Sequence, residues 1–154
     1  MRVIVFLVIL ALGACGFTPV YGPNGAGTEL QNRVLVDKPD DRTGFLMVQR
    51  LEERLGRTSD PVYRLAVDLT LRPEDRALDL DGAIRRVQLI GIATYRLIEI
   101  ETNAVVQTDT VDDFVGYSAT GTTVATLAAR RDAQERLMTI LADQIVLQLQ
   151  GSDL

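Results

Sequence analysis

Cys15 has the clearest capacity for covalent chemistry in this chain, and it is the only cysteine among the 154 residues. It follows a short leader in which Arg2 precedes an uncharged apolar run, residues 3–12, and then two small residues. A basic residue, an apolar run of this length and small residues form the pattern of a secretory signal with its cleavage site. The run is too short to span a membrane, which takes about 20 apolar residues. We therefore expect export of the chain and cleavage immediately before Cys15.

The end of the leader, Leu12-Gly13-Ala14-Cys15, resembles the bacterial lipobox. The resemblance implies that the sulfur of Cys15 carries a lipid through a permanent thioether. Each buried methylene contributes about 0.8 kcal/mol, so that several acyl chains make a stable anchor where one chain holds a protein only marginally. The alternatives are an ordinary signal peptide with an incidental cysteine, or a buried N-terminal helix.

The remaining residue types offer little for catalysis or metal binding. Histidine is absent, which removes the commonest general base and zinc ligand as well as Ser-His and Cys-His nucleophile pairs. The segment Asp79-Leu80-Asp81-Gly82 resembles part of a calcium loop, but Gln88 stands where the bidentate glutamate is expected. We predict a non-enzymatic protein without catalytic residues, metal or cofactor. The alternative is an anchored hydrolase whose carboxylates come from Asp109, Asp112 or Asp113.

Composition and charge limit the partners of the exported part. The chain has 16 basic and 21 acidic residues and a formal net charge of −5. This balance argues against a general nucleic-acid binder, whose affinity depends on a basic surface. A single cysteine also excludes an internal disulfide, so packing alone must hold the exported domain together.

The elements that must position these residues follow from hydrophobic periodicity and helix-capping residues. Residues 16–32 are rich in Gly, Pro, Asn and Thr, which indicates a tether. The pattern then predicts a strand at 33–37, a helix from Asp40 or Asp41 to about 57, a strand at 63–71, a charged loop at 73–83, strands at 85–100 and 104–117, and a helix from Thr120 or Thr122 to about 150. The predicted buried stripe of the first helix is Phe45, Val48, Leu51 and Leu55.

Two amphipathic helices and about four mostly antiparallel strands are typical of an α+β fold. We expect a two-layer sandwich in which both helices pack on one face of the sheet. The predicted organisation is a lipoprotein signal peptide at 1–14, a lipidated tether at 15–32 and a single α+β domain at 33–154.

The segment after the cysteine carries a more specific resemblance. Residues 15–22, Cys-Gly-Phe-Thr-Pro-Val-Tyr-Gly, resemble the start of mature lipopolysaccharide-assembly lipoproteins of the LptE type. The predicted order of elements also fits that family, and residues 127–133 are similar to it as well. Gly16 stands where aspartate would favour retention in the inner membrane in many enteric-type bacteria, which agrees with sorting to the outer membrane.

The resemblance implies a non-enzymatic role at the cell outer membrane. It points to a lipid-anchored protein on the periplasmic side, bound within the lumen of the LptD β-barrel, that acts in assembly of that barrel and in delivery of lipopolysaccharide to the cell surface. The alternative is an accessory lipoprotein of an ABC-type or other envelope lipid-transport complex.

Arg85 and Arg86 begin the long predicted strand and could contact the phosphates of an anionic glycolipid. Arginine suits this task because its planar guanidinium pairs two phosphate oxygens at once. The interpretation that we favour from the sequence is a solvated strand end, balanced by acidic residues of the preceding loop. Other basic side chains that could join the pair are Arg64, Arg72 and Arg76.

Overall fold

In a computed structural model that describes residues 29–78 and 84–152, a four-stranded sheet carries two helices. The elements are β1 (Val34–Val36), α1 (Arg42–Leu55), β2 (Tyr63–Leu78), β3 (Ile84–Glu99), β4 (Val105–Ser118) and α2 (Thr123–Gln150). The strands lie in the order β1-β2-β3-β4. Strand β1 runs parallel to β2, whereas β2, β3 and β4 are antiparallel neighbours. The predicted α+β class and the mostly antiparallel sheet are confirmed. Among the described helices, none is both long and apolar enough to cross a membrane.

At the start of each helix, a side-chain oxygen accepts a hydrogen bond from a main-chain N–H group of the first turn. Asp41 accepts a hydrogen bond from the N–H of Gly44 at 2.7 Å, and Thr122 accepts one from the N–H of Ala125 at 3.2 Å. Such caps replace partners that the first turn of a helix lacks. Helix α1 ends at Gly56, whose φ of +80° favours glycine. The structure therefore decides between the predicted starts: Asp41 rather than Asp40 caps α1, and Thr122 rather than Thr120 caps α2.

The core lies between the helices and one face of the sheet. Side chains alternate between the two faces of a strand, so every second residue of β2, β3 and β4 points toward the helices. The fully buried side chains of this layer include Leu65, Leu89, Tyr95 and Leu97 from the sheet and Leu51, Leu137, Leu141 and Ile145 from the helices. No helix of the described residues, 29–78 and 84–152, lies on the other face of the sheet. We call it the open face.

A charged contact joins the two helices at the edge of the core. The guanidinium of Arg50 in α1 donates to both carboxylate oxygens of Asp143 in α2, at 3.0 and 2.9 Å. This two-point geometry is stronger and more directional than a single ion pair. The hydrogen bond to Asp143 raises the pKa of Arg50, which stays charged.

The sequence-based prediction for residues 73–83 is wrong over most of the residues that the structure describes there. A charged loop was expected, but β2 continues to Leu78 and pairs with β3 through Asp75 and Val87, with a bulge between Asp75 and Ala77. The main-chain ladder needs no apolar side chain, and residues 72–76 are all exposed. The β2–β3 hairpin therefore extends as a charged ribbon where apolar alternation has stopped.

The predicted buried stripe of α1 is correct only in part. Leu51 and Leu55 are buried, but the other buried positions are Thr43 and Met47 rather than Phe45, which is 56% exposed. The buried residues recur every four positions, so the contact stripe is rotated by part of a turn from the predicted one.

Candidate ligand-binding face of the sheet

Of the predicted site residues, Arg86 is described in full. Cys15 lies outside the described residues. Arg85 lies in β3 beside Arg86, but its side chain is outside the described part of the chain. The site is therefore built from Arg86 and its neighbours on the open face.

Arg86 lies on the open face near the far end of the β3–β4 pair. Its partners in register are Ala77 of β2 and Ser118 of β4. The Nε atom of Arg86 would be 3.9 Å from a Cβ atom placed on Gly116, so the side chain extends across the backbone of β4 at a residue without a side chain. Arg86 is exposed and forms no ion pair with a described residue.

Two more arginines of β2 share this end of the open face. Arg72 lies opposite Ile90 of β3, is exposed and likewise has no ion-pair partner among the described residues. Arg76 donates a hydrogen bond to Gln88 and lies 3.3 Å from a carboxylate oxygen of Glu74, which neutralises part of its charge. Among the described residues at this end of the open face, Arg72 and Arg86 are thus the cations without an ion-pair partner.

Arg64, which the sequence also suggested, is not part of this group. It lies at the opposite end of β2, where its guanidinium is 3.7 Å from the carboxylate of Asp37. Eight residues of an antiparallel strand separate Arg64 from Arg72, a distance of about 27 Å. The structure therefore groups Arg72, Arg76 and Arg86 and excludes Arg64.

Apolar side chains lie beside Arg72 on the open face. Ile90, its partner in register, and Ile92 of β3 are half-buried, and Phe114 of β4, opposite Ile90, is 58% exposed. Four residues of β3 separate Ile90 from Arg86, or about 13 Å, and Gln88 lies between them on this face. Exposed guanidinium groups near aromatic and aliphatic side chains suit a ligand with both phosphate and hydrocarbon parts.

Sequence reasoning did not single out these apolar residues as functional, although β3 contains a signal for them. Leu89 and Val87 fill the core face of β3, while Ile90 and Ile92 make the open face apolar as well. A strand that is apolar on both faces is typical of a sheet covered on both sides. In this sheet the two described helices cover one side.

The three aspartates considered for hydrolysis do not converge. Asp109 and Asp113 lie on the helix side of β4, whereas Asp112 points to the open face. Asp109 and Asp113 each accept a hydrogen bond at 2.7 Å from the N–H of the following residue, Thr110 or Phe114. These carboxylates have a structural role, because they accept hydrogen bonds from N–H groups that point away from the sheet on its edge strand β4. Among the described residues, no group of acidic side chains is suited to holding a metal ion.

Comparison with known proteins gives a family and a set of related folds. A family model described as LptE, lipopolysaccharide-assembly, matches residues 31–149, from just before β1 to the last turn of α2. No curated protein sequence matches the chain.

Solved structures of bacterial lipoproteins share the fold. A candidate lipoprotein from Caulobacter crescentus CB15 is 24% identical with a TM-score of 0.67, over 80% of this chain and 92% of that one. Rare lipoprotein B from Shewanella oneidensis is 16% identical with a TM-score of 0.57, over 77% and 91%. A minor lipoprotein from Acinetobacter baumannii is 19% identical with a TM-score of 0.56, over 79% and 91%.

Proposed function

This chain belongs to the LptE lipopolysaccharide-assembly family, and from that premise we propose that it is an outer-membrane lipoprotein that binds a β-barrel of the LptD type. In this role it supports assembly of the barrel and delivery of lipopolysaccharide to the outer leaflet. The observation that carries the proposal is the family match over residues 31–149, which includes both helix caps and the whole described sheet. The leader that ends at Cys15 supports it independently.

The lipid anchor and the domain follow from the same premise. Residues 1–14 act as the signal peptide, Cys15 carries the acyl chains, residues 15–32 form the tether and residues 33–154 form the domain. The anchor holds the domain at the periplasmic side of the outer membrane, where a barrel lumen is within reach of the tether.

The open face supports direct contact with lipopolysaccharide. Lipid A combines phosphate groups with acyl chains. Arg72 lies beside Ile90 and Phe114, and the side chain of Arg86 extends across β4 at Gly116, two residues from Phe114. Exposure of both guanidinium groups without an ion-pair partner among the described residues leaves their N–H donors available to phosphate oxygens.

Affinity purification from outer membranes tests the partner. A tagged full-length chain is expected to bring down a large β-barrel protein, and depletion of the chain is expected to leave that barrel misassembled and to reduce surface lipopolysaccharide. Recovery of an inner-membrane ABC-type complex in place of a barrel would overturn the proposal.

Substitution of the free arginines tests the ligand. The double variant Arg72→Gln/Arg86→Gln is expected to weaken binding of purified lipopolysaccharide about tenfold or more, because two charge-assisted contacts of about 1 kcal/mol each are lost at an exposed site. Arg64→Gln, at the other end of β2, is the matched control because it removes a cation that is already paired. Equal losses of lipopolysaccharide affinity in the double variant and in the control would show that only net charge matters. That result would contradict the assignment of Arg72 and Arg86 as phosphate contacts.

A further inference from the structure

The two edges of the sheet are protected to different degrees. Strand β1 has only three residues, so it covers β2 only from Tyr63 to Leu65. The last main-chain bond across this edge runs from the N–H of Asp37 to the carbonyl of Leu65, at 2.9 Å. From Val67 onward, no described residue forms a main-chain hydrogen bond with this edge of β2.

The register shows which main-chain groups point outward. Tyr63 and Leu65 bond to the β1 side, while Val62 accepts from Ile100 on the β3 side. Because the direction alternates along a strand, the N–H and C=O groups of Val67, Leu69 and Leu71 face the free edge. We call the segment of residues 67–71, which contains these three outward positions, the free edge.

Proline closes the free edge at its far end. Pro73 occupies the next outward position, has no N–H to offer, and is still paired in register with Leu89 of β3. Charged residues follow at positions 74–76. Proline and charge at an edge are devices that prevent another strand from adding. The free edge, which has one charged residue in five, lacks both devices at its outward positions.

The opposite edge of the sheet is blocked in part. The carboxylates of Asp109 and Asp113 accept hydrogen bonds from the outward N–H groups of Thr110 and Phe114 on β4. An incoming strand would have to displace these side chains. Within the described part of the chain, the outward N–H groups of the free edge of β2 have no such side-chain partner.

A groove of about 510 Å³ with an apolar floor and a polar lip runs along the free edge on the helix side. Its floor is formed by Val67, Leu69 and Leu71 of β2 and by Met47 and Val48 of α1. The lip is the segment 37–41, which carries three aspartates and one lysine and adds net negative charge. Side chains of an added strand that point toward the helices would enter this groove.

We infer that the free edge and this groove bind an extended segment of a partner polypeptide by strand addition. The segment that fits has apolar side chains at alternate positions and a basic residue near the acidic lip. Main-chain pairing supplies affinity in this mode, and the alternate side chains supply specificity. The chain's own residues 16–28 fit poorly, since prolines and glycines interrupt them throughout.

Backbone amide exchange of the full mature chain in detergent tests the inference. The probe is the peptide Lys-Val-Thr-Val-Thr-Val-Lys, acetylated and amidated at its ends, with a version N-methylated at alternate residues as its control. The peptide is expected to slow exchange at Val67, Leu69 and Leu71, and the methylated version to have no effect. Equal binding of both peptides, or of neither, would overturn the inference.

A matched pair of variants separates the main chain from the side chain. Leu69→Pro removes one outward N–H, and Pro73 shows that proline at such a position is compatible with pairing to β3. Leu69→Ala removes the same side chain and keeps the N–H. We expect peptide binding at least tenfold weaker for L69P than for L69A, with circular dichroism confirming that both are folded.

The free chain serves as a further check. Protection of the same three amides without peptide would mean that the edge is already occupied, by the chain's own tether if it persists on dilution or by a second copy if it disappears. Either result would contradict the inference. The proposed function does not depend on it, because barrel co-purification and peptide binding are measured separately.

Discussion

At the residue scale, Tyr95 joins the centre of the sheet to the last turns of α2. Its side chain is fully buried, and its hydroxyl donates to Gln148 at 2.9 Å and accepts from Gln107 at 3.0 Å. Burial, together with the negative charge of Asp109, raises the pKa of Tyr95 to about 12. The phenol is thus held in its neutral form well beyond the pH at which an exposed tyrosine ionises.

This pKa predicts a loss of stability at alkaline pH. The pKa of Tyr95 in the folded state is above its unfolded value of about 10. Its contribution to the free energy of unfolding is therefore fully present below pH 10 and is lost as the pH rises toward 12. The loss amounts to about 2–3 kcal/mol of unfolding free energy. Urea unfolding between pH 9 and 12 should therefore show a steeper decline for the wild type than for Tyr95→Phe.

Tyr95→Phe also has a measurable effect at neutral pH. It leaves Gln107 and Gln148 without their shared partner, and we expect a loss of about 1–2 kcal/mol. Parallel pH profiles for the two proteins would show that Tyr95 is not the titrating group.

At the element scale, the contact between α2 and the sheet depends on the absence of a side chain at Gly91. A Cβ atom at this position in β3 would stand 2.8 Å from Cδ1 of Leu141 and 3.0 Å from Cδ2 of Leu137. Glycine usually weakens a strand, so its presence in the middle of β3 is explained by the close approach of the helix.

Gly91→Val is therefore expected to destabilise the fold by about 1–3 kcal/mol, because the leucines of α2 must move out of their packed positions. Gly116→Val is the matched control on the open face, where a Cβ atom would meet only Nε of Arg86 at 3.9 Å. The control should be neutral or slightly stabilising, since valine favours strands by up to about 1 kcal/mol. Similar midpoints of thermal unfolding for the two variants would contradict this account of the helix–sheet contact.

At the scale of the whole molecule, the proposed anchor and the domain are separable. Within the described residues, packing between the helices and the sheet forms the buried core. We predict that Cys15→Ser abolishes lipid attachment and moves the protein from the outer membrane to the soluble periplasmic fraction, with an unchanged circular dichroism spectrum. Fractionation and mass spectrometry of the mature N-terminus provide the measurement. A variant that stays with the outer membrane would show that other contacts retain the protein.

The sequence by itself determined the features that depend on near neighbours along the chain. The start of each helix was predicted to within two residues, because a capping side chain bonds to an N–H group only three residues ahead. The helices and the three long strands follow from periods of 3.6 and 2 in apolar residues, which reflect backbone geometry alone. The prediction of a leader that ends before Cys15 is local in the same way, because a processing signal consists of consecutive residues.

Only the tertiary structure decided the features that depend on pairing between distant segments. The extension of β2 to Leu78 rests on the ladder with β3, which is independent of side-chain polarity and so leaves no apolar pattern. That Arg86 of β3 lies at the same end and on the same face as Arg72 of β2 follows from the register of the two strands, and a shift of one residue would move a side chain to the other face. The free edge of β2 exists because β1 stops at Val36, where the chain turns into α1. These are properties of contacts between segments far apart in sequence, and local patterns do not encode them.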